Sequence, residues 1–130
     1  MIDRTLRRVL AADADERVLR LVKNELSAES YAVVTAADGR EAWRALKAPA
    51  AFNAAFVALE LPGFGGLELL KMIKADPYLR RVNVVVMVPG DSGHEVRAEC
   101  FAAGAFVCLP KPFTKSQLLS VARLTTGGRV

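Results

Sequence analysis

Histidine and cysteine are scarce in this chain of 130 residues, which contains one histidine and two cysteines. Cys100 and Cys108 do not form a CxxC motif, and His94 has no second histidine to pair with. These spacings argue against a zinc site and against a disulfide framework. We therefore expect two buried thiols in a reducing compartment and no metal site built from these side chains.

Long apolar runs are also absent. The longest wholly apolar stretches, such as residues 84–89, fall far short of the roughly 20 residues that a membrane span requires. The apolar stretch after Arg8 ends at Asp13, which is too short for the apolar region of a signal peptide. We therefore expect a cytoplasmic protein that has no membrane partner.

A strong excess of one charge is missing as well. The chain has 18 Lys and Arg against 14 Asp and Glu, a net charge of +4 at pH 7. A nucleic-acid binder of this size concentrates its basic residues in one run or on one face, whereas here they are spread out. A weak nucleic-acid binder that uses a basic face is kept only as an alternative. The small basic clusters are Arg4/Arg7/Arg8, Lys71/Lys74 and Arg80/Arg81.

Hydrophobic residues make up 52% of the chain, and short apolar runs alternate regularly with amphipathic segments. The runs are typical of strands buried on both faces, and the segments carry apolar residues at helical spacing. This alternation predicts an α/β fold of five βα units in a doubly wound parallel sheet. In such a sheet the functional residues lie just after the strands. The predicted strands are residues 9–12, 31–35, 56–59, 82–88 and 105–109.

Two helix starts are visible in the sequence. Thr114 and Gln117 have the spacing of a capping box, with Phe113 and Leu118 placed as its hydrophobic staple. Asp15 is interpreted as the residue that starts the first helix, because a carboxylate there is favoured by capping and by the helix dipole.

Five short motifs occur in a fixed order along the chain. They read VLAADAD at 9–15, TAADG at 35–39, LPGFGGLELL at 61–70, AGA at 103–105 and KPF at 111–113. Together they resemble the receiver domains of bacterial two-component response regulators, over residues 8–124. The resemblance implies a five-stranded sheet in the order 2-1-3-4-5, and Lys111–Pro112 matches the position of the family's cis peptide bond. The resemblance also implies one receiver-like domain over residues 1–126, with residues 127–130 as a flexible tail or the start of a linker.

The resemblance also implies where a phosphorylation pocket would lie. The family binds Mg²⁺ with an acidic pair after the first strand, and this chain has Asp13 and Ala14 there. The family's phosphoryl acceptor is an Asp four residues before the proline that is Pro62 here, and Ala58 occupies that position. Alanine has no atom that can attack phosphorus, and Mg²⁺ needs hard oxygen ligands. We therefore expect no resident cofactor and weak or absent Mg²⁺ binding, with Asp13 as a weak candidate ligand.

The switch positions of the family are altered too. Val88 stands where the family has a Thr or Ser that reads the phosphoryl group, and Cys108 stands at the position of the switch aromatic. Lys111 matches the family's lysine, and we expect it to form an ion pair with Asp13. Glu60 is expected to be an exposed loop residue, although it is also a candidate to replace lost negative charge in the pocket.

These features favour a phosphorylation-independent pseudo-receiver, a non-enzymatic protein–protein interaction module in bacterial signal transduction. One alternative is a phosphotransfer receiver that uses another acidic residue, such as Asp13, or whose acceptor Asp has been replaced at Ala58. The expected partner is another signalling protein or an effector domain in the same polypeptide, and a second copy of the chain is also a candidate.

Trp43 is either a packing residue or an exposed anchor. The candidate partner face, with mixed charge that suits protein better than DNA, comprises Glu95, Arg97, Glu99, Cys108, Lys115 and Arg123.

Overall fold

The computed structural model describes residues 6–49 and 51–127, in which five strands alternate with five helices. This order confirms the α/β fold that the alternation of apolar runs and amphipathic segments predicts. The strands are β1 (Arg7–Ala12), β2 (Tyr31–Ala36), β3 (Ala54–Ala58), β4 (Asn83–Pro89) and β5 (Val107–Lys111). The helices are α1 (Glu16–Ala28), α2 (Gly39–Lys47), α3 (Gly66–Ala75), α4 (His94–Ala102) and α5 (Lys115–Thr125).

The strands form one parallel sheet in the order β2-β1-β3-β4-β5, which confirms the predicted doubly wound topology. Side chains of alternate residues enter two separate cores. Val9 and Phe56 pack on one face with α1 and α5, whereas Leu10 and Val57 pack on the other face with α2, α3 and α4. Because all strands run in the same direction, their carboxyl ends meet at a single edge of the sheet.

The ends of all five strands differ from the sequence prediction by one or two residues, and the differences in β1 and β5 involve charged residues. β1 begins at Arg7, where Arg7 pairs with Tyr31, so the strand includes two charged residues before its apolar run. β5 covers residues 107–111 instead of 105–109, and its last residue Lys111 pairs with Pro89. Apolar content marks the buried middle of a strand, whereas backbone pairing continues beyond it. The shift matters because it makes Lys111 part of the sheet.

The predicted helix starts are confirmed. The Asp15 side chain caps α1 by accepting a hydrogen bond from the backbone N–H of Arg17. Thr114 and Gln117 form the capping box of α5, in which each side chain accepts a hydrogen bond from the backbone N–H of the other residue. Phe113 and Leu118 belong to the same hydrophobic core. The start of α5 is thereby fixed directly after Lys111.

No helix in the described part of the chain is long and apolar enough to span a bilayer. The expected tail over residues 127–130 lies outside the described residues apart from Gly127, and Arg4 of the first basic cluster also lies outside them. The extent of the domain, residues 1–126, stays a prediction.

Candidate functional site at the strand ends

The sheet brings the positions of the expected pocket to one edge. Asp13 follows the last residue of β1, and Ala58 ends β3. In the register of the sheet, Ala58 pairs with Met87 of β4, and Val88 pairs with Pro110 of β5. These positions therefore lie side by side across neighbouring strands.

Asp13 and Lys111 form the ion pair that the sequence leads us to expect. Lys111 Nζ donates to Asp13 Oδ2 at 2.6 Å, and the backbone N–H of Asp15 donates to Asp13 Oδ1 at 2.9 Å. Both carboxylate oxygens therefore have a donor. The Asp13 side chain is only 4% exposed, whereas Lys111 keeps 29% of its side chain in contact with solvent. A charge this deeply buried requires such a partner.

The other pocket positions offer no oxygen ligand or nucleophile. Ala58 is 1% exposed and Val88 is fully buried, so both side chains belong to the hydrophobic cores. Ala14 is exposed, and so is Glu60, as the loop interpretation of Glu60 predicts. The pocket therefore holds one carboxylate where the family uses three, and that carboxylate is paired.

The donor set does not fit Mg²⁺. An octahedral Mg²⁺ site needs several oxygen ligands, usually with carboxylates that balance its charge. Here Lys111 already lies at the one buried carboxylate, that of Asp13. Among residues 6–49 and 51–127, no group of three or more His, Cys, Asp and Glu side chains could hold a metal ion.

The backbone around Ala58 is closely packed. A Cβ atom added to Gly66, the first residue of α3, would lie 2.1 Å from the carbonyl oxygen of Ala58. The N–H of Gly66 donates to the carbonyl oxygen of Leu59 at 2.9 Å. The end of β3 and the start of α3 are therefore held against each other, with glycine required between them.

Asp15 lies at the rim of this pocket and is engaged by Arg17. The Arg17 guanidinium donates to both Asp15 oxygens, at 3.1 and 3.0 Å. These side-chain bonds, helped by the Arg17 backbone N–H, lower the pKa of Asp15 to about 2. Asp15 therefore stays ionised at physiological pH and remains bonded to Arg17.

An apolar groove of about 450 Å³ runs beside the pocket, between α1 and the segment after β5. The peptide bond between Lys111 and Pro112 in its wall is cis, as it is at the matching position in the family that the sequence resembles. The lining residues are Asp15, Arg17, Val18, Leu21, Lys111, Pro112 and Phe113.

The two thiols lie in or near the core, Cys100 buried on α4 and Cys108 half-buried on β5. Burial raises the pKa of both thiols, that of Cys108 to about 11. Both are therefore protonated at neutral pH, which makes them poor nucleophiles.

The residues of the candidate partner face differ in their contacts. Glu95, Arg97 and Glu99 are exposed on α4. The side chains of Lys115 and Arg123 instead reach toward α1, with Nζ of Lys115 3.4 Å from Glu25 and the guanidinium of Arg123 3.6 Å from Glu29. Lys115 and Arg123 are nevertheless exposed. Binding at the candidate face, with all six of its residues, stays a prediction.

A cavity on α2 was not predicted from the sequence. It is lined by Arg40, Trp43, Arg44, Lys47 and Phe64. The spacing of 40, 43, 44 and 47 along one helix is the signal in the sequence that could have pointed to it. Phe64 contributes from a separate loop, which helical spacing does not reveal.

Comparison with known proteins agrees with this geometry. The family model for the response regulator receiver domain matches residues 9–123. The chain is 28% identical to the chemotaxis protein CheY1 of Helicobacter pylori over 121 residues, which cover 92% of this chain and 97% of CheY1. It is 30% identical to the two-component response regulator-like protein APRR5 of Arabidopsis thaliana over 112 residues, 85% of this chain but 20% of that protein.

Among solved structures, the chemotaxis protein CheY4 of Vibrio cholerae superimposes with a TM-score of 0.86 at 27% identity, covering 93% of this chain and 99% of CheY4. The residues that the family model matches include both Asp13 and Lys111. The chain belongs to the response regulator receiver domain family of two-component signal transduction.

Proposed function

We propose that this receiver domain is a non-catalytic docking module whose activity does not depend on phosphorylation. The observation that carries the proposal is the Asp13–Lys111 pair at 2.6 Å, next to an alanine at the position where the family has its acceptor. The buried charges of the pocket satisfy one another without a phosphoryl group. Such a pocket has no charge left over to bind an anion or a metal ion.

Asp13 is a poor substitute for the missing acceptor. Its side chain is 4% exposed, and both of its oxygens already accept hydrogen bonds. Each oxygen keeps a second acceptor position, but the burial of the side chain restricts the approach of a phosphoryl donor. Val88 has no hydroxyl group that could form a hydrogen bond with a phosphoryl oxygen, so a transferred phosphoryl group would lack this contact.

Receiver domains act through other signalling proteins, and the same is proposed here. The partner would be a signalling protein or an effector domain in the same polypeptide, in the cytoplasm. The exposed α4 residues Glu95, Arg97 and Glu99 carry charges of both signs, which suit a protein partner better than a nucleic acid.

Incubation with acetyl phosphate and Mg²⁺, followed by intact-mass measurement, tests the proposal. We expect no gain of a phosphoryl group by the chain without substitutions. A gain that disappears in Asp13→Asn would instead establish Asp13 as an alternative acceptor, and the proposal would be wrong.

The variant Ala58→Asp tests whether a single replacement accounts for the inactivity. We expect Ala58→Asp to remain unphosphorylated, because Ala14 still leaves the metal site incomplete and Val88 still lacks a hydroxyl group. Efficient phosphorylation of this variant would mean that the acceptor alone had been lost. The triple variant Ala14→Asp/Ala58→Asp/Val88→Thr, which restores the missing groups together, is the positive control.

A further inference from the structure

The exposed side of α2 and the loop before α3 enclose a cavity of about 300 Å³. We call this region the α2 surface. Three of its lining residues are cations and two are aromatic. They are Arg40, Trp43, Arg44, Lys47 and Phe64.

Two of the cations lie over the two rings. The Arg40 guanidinium carbon is 5.4 Å from the centre of the Phe64 ring, and Lys47 Nζ is 5.5 Å from the centre of the Trp43 ring. Both distances lie within the range of cation–π attraction. Both cations are thereby attracted to the aromatic residues that line the cavity.

The arginines of the α2 surface have no carboxylate partner among the described residues. Lys47 does have one, because its Nζ donates to Asp76 at 2.7 Å. Arg40 and Arg44 are exposed, and neither forms an ion pair within residues 6–49 and 51–127. The side chain of the nearby Glu41 accepts a hydrogen bond from the backbone N–H of Ala37, and so it points toward the start of α2. The α2 surface therefore has positive charge available for a ligand.

The walls of the cavity are fixed to each other. The N–H of Gly39 donates to the carbonyl oxygen of Pro62 at 2.9 Å. A Cβ atom at Gly39 would lie 2.2 Å from the carbonyl oxygen of Phe64, so helix and loop approach as closely as glycine allows. On the opposite side of α2, Ala42 and Leu46 are buried in the core. A ligand would therefore meet a site whose shape is already formed, which lowers the entropic cost of binding.

We propose that the α2 surface binds an acidic peptide segment of a partner protein. Carboxylates of the peptide would pair with Arg40 and Arg44, since guanidinium groups bind carboxylates through two parallel hydrogen bonds. An apolar side chain of the peptide would enter the cavity that Trp43 and Phe64 help to line. The inference rests on the proposed docking function and adds the chemistry of the partner.

The arrangement of the rings favours acidic protein over single-stranded nucleic acid. Binding of unpaired bases relies on aromatic faces that are free for stacking. Here the chain's own cations, Arg40 and Lys47, already lie over Phe64 and Trp43. Trp and Arg are also the residue types enriched where protein interfaces gain most of their affinity.

Trp43 is the only tryptophan of the chain and lies in the proposed site, so its emission reports binding directly. The probe is the synthetic peptide EEDLFDEE, and a thymidine oligonucleotide of the same charge is the second arm. We expect a saturable change of Trp43 emission with the peptide, and weaker or no binding of the oligonucleotide. No emission change with the peptide, or tighter binding of the oligonucleotide, would overturn the proposal.

A matched pair of charge reversals locates the site. In Arg40→Glu/Arg44→Glu, we expect the affinity measured by anisotropy of labelled peptide to fall about tenfold or more, the size of one lost charge-assisted contact. Arg80→Glu/Arg81→Glu changes the net charge equally at exposed residues before β4, and should leave the affinity within about twofold. Equal losses in the two variants would mean nonspecific charge attraction and would contradict the proposal.

If the charge reversals impair folding, the milder variant Arg40→Gln/Arg44→Gln replaces them in the comparison. It removes both positive charges, so we expect it to weaken peptide binding as well. None of these titrations contains a phosphoryl donor. The docking site and the phosphorylation-independent function can therefore fail separately.

Discussion

The strand-end pocket and the α2 surface both present cations beside apolar walls, but they use the charges in opposite ways. In the pocket, Lys111 lies 2.6 Å from the buried carboxylate of Asp13, and the pair is complete within the domain. On the α2 surface, Arg40 and Arg44 have no carboxylate among the described residues. The comparison leads us to expect that the capacity to bind an anion depends on charges without a partner, not on the number of charges present.

Of the substitutions considered, removal of the Lys111 side chain should have the largest effect on stability, because it leaves the buried carboxylate of Asp13 without its counter-ion. We expect Lys111→Ala to lower the free energy of unfolding at neutral pH by about 3 kcal/mol. This is the low end of the range for buried pairs, since Lys111 is 29% exposed. Chemical denaturation with urea measures the loss.

Lys115→Ala is the matched control, because Lys115 is 63% exposed and lies 3.4 Å from Glu25. We expect this variant to cost less than about 1 kcal/mol, as exposed ion pairs do. Equal losses for Lys111→Ala and Lys115→Ala would show that the strand-end pair is no more important than a surface pair. The double variant Asp13→Asn/Lys111→Met should recover part of the loss, because it leaves no unpaired buried charge.

A smaller effect is expected where the α2 surface joins the loop before α3. Gly39→Ala places a Cβ atom 2.2 Å from the carbonyl oxygen of Phe64, so helix and loop must move apart. We expect a destabilisation of about 1–3 kcal/mol, typical of overpacking, together with weaker binding of the acidic peptide. Thermal unfolding and peptide anisotropy measure the two effects.

Gly93→Ala is the control for this substitution, since a Cβ atom at Gly93 would meet nothing within 4 Å. We expect Gly93→Ala to cost less than about 1 kcal/mol, the effect of alanine at the N-cap of α4 without any steric clash. If Gly39→Ala were as stable as Gly93→Ala and bound peptide as well, the α2 surface would not depend on this close approach.

The smallest effect is a pH dependence at Asp76, the partner of Lys47. The hydrogen bond from Lys47, together with those from the N–H groups of Tyr78 and Leu79, lowers the pKa of Asp76 below its ordinary value. A carboxyl group whose pKa is lower in the folded state stabilises the fold above the unfolded-state pKa, and this contribution disappears as the pH falls through the folded-state pKa. We therefore expect Asp76→Asn to be less stable than the chain without substitutions at pH 6, with a difference that shrinks below about pH 4.

Urea denaturation of both proteins across this pH range measures the dependence. A difference that grew on acidification would have the wrong sign. It would show that the Asp76 carboxyl is not stabilised in its charged form by Lys47.

The sequence predicts most of the fold because the core is recorded in local patterns. Val84 to Val88 are apolar at every position and form a strand buried on both faces, and Thr114 with Gln117 marks a helix start by spacing alone. The ends of strands are less visible, as Arg7 and Lys111 show. Their polar side chains interrupt the apolar pattern while their backbones continue to pair.

The pocket was more predictable than the surfaces. Asp13 follows β1 and Lys111 ends β5, at the same edge of a sheet whose order the motifs imply, so their pairing can be expected from the sequence. The direction of the Lys115 and Arg123 side chains toward α1 could not be expected, because it depends on how α5 is rotated against α1. The contact of Phe64 with α2 also depends on tertiary packing, so the sequence pattern of α2 alone does not predict it.

The central claim is that the strand-end pocket receives no phosphoryl group, and an amide NMR titration tests it most directly. Spectra are recorded for the free protein, with Mg²⁺, and with Mg²⁺ plus beryllofluoride, a mimic of the acyl phosphate. We predict no specific shifts at Asp13, Ala58 and Lys111 in either addition. Saturable shifts at these residues that spread to Val88 and Cys108 would contradict the claim, because they would show a pocket that still binds the mimic and a switch that still responds.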